Sequence, residues 1–213
     1  MVPVNSYSAG ASQNGEIYYT YFDQGEGWMG TPLQQNQTID YVIDLVNNSA
    51  PTGGLPKLEL QLIGRDNIPH SAEILIGANS GSLRSIATND FFGFETPLIT
   101  STLNWSDVGA DGKITVRLKA AFAGTNRFQF SVGYIKLSFP QNFNAAGLTE
   151  KVFRLTSTSP KSYIELDNAP STVRLWDITD GDNVSAIGTR VETSALSGVV
   201  SNTSSPRTLL ASN

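Results

Sequence analysis

The sequence predicts an all-β chain: an antiparallel, jelly-roll-like β-sandwich over residues 15–140, followed by a smaller β domain over 149–213. Three observations carry this expectation. Apolar residues alternate with polar ones at a period of 2, clusters of Gly, Pro, Asn and Asp interrupt them roughly every 8–12 residues, and no stretch has the pattern of a long helix. Composition agrees, because only 15% of residues are charged while 19 Gly and 10 Pro supply turns for many short strands.

The elements follow in order. Residues 1–14 read as an N-terminal extension, and Met1–Gly10 has neither the basic nor the apolar region of a signal peptide. Residues 16–23 (EIYYTYFD) are aromatic and β-prone, and the cluster at 24–27 (QGEG) turns the chain. Over 37–45 the alternation puts Ile39, Tyr41, Ile43 and Leu45 on one face. Pro51-Thr52-Gly53-Gly54 breaks the pattern, and 57–65 resumes it with Leu58, Leu60 and Leu62 inward. Residues 72–76 and 83–87 flank a Gly/Asn turn and read as a hairpin. Strands are expected at 97–105 and 114–118, with a turn at 109–113. Residues 128–139 form the longest β run, a central late strand ended by Pro140, which has no N–H to donate.

Residues 141–148 read as a connector, and strands resume at 151–155, 162–166 and 173–178. About 70 residues is small for an independent core, so this domain is expected to lean on the first or on further sequence. The apolar run 208–211 at the chain's end suggests an excised fragment of a longer protein.

Chemistry is scarce. With no Cys the chain can build no thiolate metal site and no Cys-His pair, and its single His, His70, argues against a zinc site and a Ser-His-Asp set. His70 follows Pro69 and reads as a surface loop residue in a turn. Carboxylates such as Asp23, Glu26 and Glu95 exist for glycosidase chemistry, but no spacing selects a pair. Asp177, Asp180 and Asp182 cluster with Gly181 and could offer oxygens to Ca²⁺, although the closing Glu of a calcium loop is missing and a hairpin turn is the preferred reading. Trp28, Trp105 and Tyr19 are candidate platforms for stacking on sugar rings, against a preferred reading as core aromatics. Sequon matches at Asn36, Asn104 and Asn183 carry little weight in a chain rich in Asn, Ser and Thr. The net charge of −5 and scattered basic residues exclude a phosphate-binding patch, hence nucleic acid, and no apolar stretch reaches the ~18 residues of a membrane span.

Three segments occur in an order that resembles a known family: Glu26-Gly27-Trp28-Met29-Gly30, Tyr134-Ile135-Lys136-Leu137-Ser138-Phe139-Pro140, and Val173-Arg174-Leu175-Trp176-Asp177-Ile178-Thr179-Asp180. They resemble "GxGWFG", "YIELTYPR" and "VxVxDVTDP" in the region preceding the peptidase domain of gingipain-like cysteine peptidases of Bacteroidetes, especially the cell-surface sortase of the type IX secretion system. Gln141 stands where that family commonly has a basic residue, and Gly181 where it often has Pro. The resemblance implies that catalytic Cys and His lie downstream, outside this chain, so no catalytic residue is carried over. It implies an exported, surface-associated protein, extracytoplasmic or at the outer-membrane surface. In it these β domains would be a non-catalytic structural or interaction module contacting a downstream domain or another surface protein. The alternative is a carbohydrate-binding module with a glycan as partner.

Overall fold

A computed structural model describes residues 6–7, 11–13, 16–18, 28–45, 49–121, 128–146, 149–157 and 161–212, the first three segments and Trp28 by their backbone only. The strand expected at 16–23 is described only as far as Tyr18. The described residues are all-β, with two 3₁₀ turns at Pro51–Gly53 and Trp105–Asp107. No helix among them is long and apolar enough to cross a membrane. The chain divides into two compact units, Met1–Gln141 and Asn142–Asn213.

The first unit opens with short strands β1 (Ser6–Tyr7), β2 (Ala11–Gln13), β3 (Glu16–Tyr18) and β4 (Trp28–Met29), paired β1 with β4 and β2 with β3. Its body is β5 (Leu33–Gln34), β6 (Thr38–Asp44), β7 (Lys57–Gly64), β8 (Pro69–Gly77), β9 (Leu83–Phe92), β10 (Leu98–Thr102), β11 (Lys113–Ala120) and β12 (Gln129–Ser138). These make two antiparallel four-stranded sheets, ordered β10-β7-β12-β5 and β6-β11-β8-β9, a β-sandwich.

Alternation explains the core. Leu58, Leu60 and Leu62 of β7 are buried while Lys57, Glu59 and Gln61 between them face outward. They meet Ile74 and Ile76 of β8, Ile114, Val116 and Leu118 of β11, and Phe130, Val132 and Ile135 of β12. Each such side chain contributes about 1.5–3 kcal/mol on burial. Ile39, Tyr41 and Ile43 pack on this core from β6. The long run at 128–139 lies inside its sheet, between β7 and β5.

His70 is not in a surface turn. It lies in β8 and is 1% exposed. Pro69 is the first residue of that strand, where a missing N–H is tolerated. The inward register then stacks the imidazole on Phe91 (centroids 4.7 Å apart) and sets it edge-on to Phe128 (5.6 Å). Its Nε2 stands 2.9 Å from Asp66 Oδ1, at ion-pair distance but without an aligned hydrogen bond.

The second unit comprises β13 (Glu150–Leu155), β14 (Ser162–Asp167), β15 (Arg174–Asp177), β16 (Ser185–Ala186), β17 (Thr189–Val191), β18 (Ala195–Val200) and β19 (Arg207–Ser212). They form antiparallel sheets ordered β13-β19-β15-β16 and β14-β18-β17. Phe153, Ile164, Leu166, Leu175, Leu196, Val200 and Leu209 are the larger members of its own core. Part of the stretch read as a connector belongs here. Ala145 is buried and its N–H donates to Asp167 O at 2.8 Å, while Lys151 Nζ reaches the carbonyls of Asn144 (3.1 Å) and Asn142 (3.4 Å). Desolvation in this site pushes the Lys151 ammonium below its ordinary range.

Candidate functional site

The outer face of sheet β10-β7-β12 gathers polar side chains in cross-strand rows. Pairing sets Thr102, Lys57 and Ser138 in one row and Thr100, Glu59 and Lys136 in the next. Leu98, Gln61 and Tyr134 make the third. A side-chain period of 2 turns all nine away from the core. An open groove of about 410 Å³ runs over the first two rows, lined by Lys57, Glu59, Thr100, Thr102 and Ser138 together with parts of Leu58 and Ser101.

Charges in this face are arranged. The Tyr134 hydroxyl donates to Glu59 Oε1 at 2.7 Å, and Lys136 Nζ stands 3.7 Å from the same oxygen. That hydrogen bond, followed by desolvation and the nearby carboxylate charge, pushes the Tyr134 phenol above its ordinary value, so it remains a donor. Glu59 is thereby held in place between β7 and β12. Lys57 is exposed and pairs with no carboxylate among the described residues.

Of the three aromatics named as sugar platforms, Trp105 is the one whose side chain is described. Tyr19 lies outside the described residues, as do Asp23 and Glu26, and of Trp28 only the backbone, paired with Tyr7, is described. Trp105 packs on the sandwich core, and its Nε1–H donates to Gly54 O at 2.7 Å. The indole thus anchors a 3₁₀ turn.

The same turn is pinned by Asp107. Its carboxylate accepts two hydrogen bonds from Arg84 (2.8 and 2.6 Å) and one from the Asn104 N–H (2.8 Å). Burial by itself raises this carboxyl, but the Arg84 hydrogen bonds, the Asn104 N–H and the Arg84 charge outweigh it and hold the group below the ordinary 3.8. A depressed folded value means stability that is whole above the unfolded value and lost as pH falls through the folded one. Asp107→Ala should therefore cost about 1–3 kcal/mol near pH 7, and the gap from the parent should narrow below about pH 4. Thermal melts across that range check both parts.

Two of the carboxylates named for calcium, Asp177 and Asp180, accept hydrogen bonds from within their own turn. Asp177 Oδ1 accepts from Thr179 N (3.0 Å) and Oγ1 (2.5 Å), and its Oδ2 is 3.5 Å from Arg207. Asp180 Oδ1 accepts from Asp182 N at 3.1 Å. These bonds shape the turn of the β15–β16 hairpin. Among the described residues no three His, Cys, Asp or Glu converge as metal ligands. Glu95 likewise closes a turn, its Oε2 accepting from Phe92 N at 3.0 Å.

The sequon residues occupy three local settings. Asn36 has φ of 66° in a turn, Asn104 precedes the 3₁₀ turn, and Asn183 is exposed in the β15–β16 turn. The groove residues were not singled out by sequence. The outward alternation of β7 was visible, but not that Lys57, Thr100 and Ser138 share one face.

No protein-family model matches the chain, and no curated protein matches it. Among solved structures it is similar to dimeric latent PorU from Porphyromonas gingivalis, with a TM-score of 0.63 at 12% identity over 86% of this chain and 18% of that one. It also aligns with the carbohydrate-binding module CBM36 in complex with calcium and xylotriose (TM-score 0.38, 16% identity, 64% of this chain and 98% of that one). The PBSX exported protein XepA aligns too (TM-score 0.31, 9% identity, 99% of both chains). The first likeness establishes a shared fold; the other two are too loose to carry an argument.

Proposed function

We propose that this chain is a non-catalytic structural and interaction module of an exported, surface-associated multidomain protein related to gingipain-like peptidases. The observation that carries this reading is the fold shared over 86% of the chain with a region amounting to 18% of latent PorU, so that the comparable β units there sit within a much longer polypeptide. The ordered segments at 26–30, 134–140 and 173–180 point to the same setting. Chemistry is consistent with it, since the one His is packed between Phe rings and no Cys exists. The module's work is packing and docking: the sandwich and the smaller β unit present sheet faces and edges to a downstream domain or a surface partner.

The test uses the complete gene product in its own cells. Its reading frame is expected to encode a downstream peptidase domain bearing Cys and His, and deleting residues 16–212 should abolish surface display of the remainder. A complete product without such a domain, or normal display after the deletion, overturns the reading.

A second reading, a carbohydrate-binding module, is favoured by one specific observation. The groove on β10-β7-β12 offers hydroxyls, a carboxylate and the Lys57 ammonium on an open sheet face, a donor and acceptor set matched to sugar hydroxyls.

A further inference from the structure

Resting on that second reading, we infer that the groove over β10, β7 and β12 is a subsite for an acidic, uronate-bearing glycan, seated by Lys57 and the hydroxyls of Thr100, Thr102 and Ser138 in its lining, with Lys136 beside it in the second row.

Charge is the first argument. The chain carries −5 overall, yet the ionised groups of these rows are two lysines against one glutamate. Glu59 Oε1 is already hydrogen-bonded by Tyr134 and ion-paired with Lys136 at 3.7 Å, beyond hydrogen-bond reach, so Lys57 carries the charge left unpaired in these rows among the described residues. The Lys136 side chain is half exposed and Lys57 is exposed, so both ammonium groups keep donors for a ligand carboxylate. A local excess of positive charge on an acidic protein attracts anions.

The kind of anion follows from the rest of the face. Sugar hydroxyls need partners that both donate and accept, which Thr100, Thr102 and Ser138 supply in two adjacent rows. A protein partner would need an apolar centre, and in these three rows the exposed large apolar residue is Leu98, outside the groove lining. Two lysines are too few for a nucleic-acid backbone. An open sheet face also admits a strand of sugars from the side.

Affinity electrophoresis of the full chain tests this, with gels containing polygalacturonate or the neutral polymers dextran and xylan. Polygalacturonate is expected to retard the protein, and Lys57→Gln/Lys136→Gln to weaken that retardation roughly tenfold. Lys57→Arg/Lys136→Arg should restore it, and the equal charge change Lys113→Gln/Lys161→Gln should leave it intact. Unchanged circular dichroism melts would show that the surface variants fold. Equal weakening by both Gln pairs means diffuse electrostatics and overturns the inference. Retardation by dextran or xylan that survives Lys57→Gln/Lys136→Gln, without retardation by polygalacturonate, overturns the acidic ligand and leaves the carbohydrate reading standing. Retardation in none of the gels overturns both.

Discussion

Removing residues 207–213, or substituting Leu209→Asp, is expected to unfold the second unit while a melting transition of the first unit remains. β19 is an interior strand, hydrogen-bonded to β13 on one side and β15 on the other. Leu209 is 0% exposed at the centre of that core. Trimming such a leucine to alanine costs about 2–5 kcal/mol, and a buried, unpaired carboxylate costs more. A unit of about 70 residues has only about 4–10 kcal/mol in total, so the aspartate variant has little or nothing left. Scanning calorimetry should lose one transition, and limited proteolysis should leave a resistant fragment ending near residue 141. A Leu209→Asp chain that melts like the parent would show that β19 is not interior.

The second large effect is expected at Gly64, the last residue of β7. A Cβ built there would lie 1.8 Å from the carbonyl oxygen of Gly93 and 3.1 Å from His70 Cε1. Gly93 cannot simply yield. It holds φ of 64° and its N–H donates to Ile68 O, while Gly64 N–H donates to Glu95 O at 3.0 Å. The turn at 92–95 is thus tied to the strand end that the new methyl would push away. Gly64→Ala should cost about 3 kcal/mol or more, the upper range for overpacking. Gly181→Ala, with nothing within 4 Å of the added carbon, should change stability by no more than about 0.5 kcal/mol. Urea denaturation of the two variants makes the comparison, and equal midpoints would contradict the close approach of β7 to the 92–95 turn.

Much of the sandwich was legible because burial leaves a local trace. Leu58, Leu60 and Leu62 alternate with Lys57, Glu59 and Gln61, and a pleated strand can bury only one of those sets. Turn clusters at 51–54 and 109–113 fall between strands for the same local reason. The trace fails where both faces are covered or strands are short. β18, Ala195–Val200, is buried at five of its six positions and shows no alternation, and β16 and β17 have two and three residues. None of the three was expected, nor was the interior place of β19. Asn202 is a further case. Fully buried, it donates to Thr156 O (2.7 Å) and Ser162 Oγ (2.8 Å) and accepts from Ser162 N (3.0 Å), yet it reads as one more polar loop residue.

The candidate site was less legible than the fold. Trp105 packs on the core, since an indole beside a strand end finds both apolar cover and a carbonyl. The Asp177–Asp182 cluster likewise behaves as a turn, because short carboxylates find the backbone N–H two residues on. His70 was misjudged, as Pro-His carries a turn signal that the register of β8 overrides. By itself, then, the sequence determined that the chain is all-β, which faces of β6 and β7 are inward, and that it has no Cys for thiol chemistry. Only the tertiary structure decided that Lys57, Thr100 and Ser138 share a groove and that β19 sits mid-sheet. A strand's inward face follows from its own alternation, whereas its neighbours are chosen by non-local pairing that leaves no mark on the strand itself.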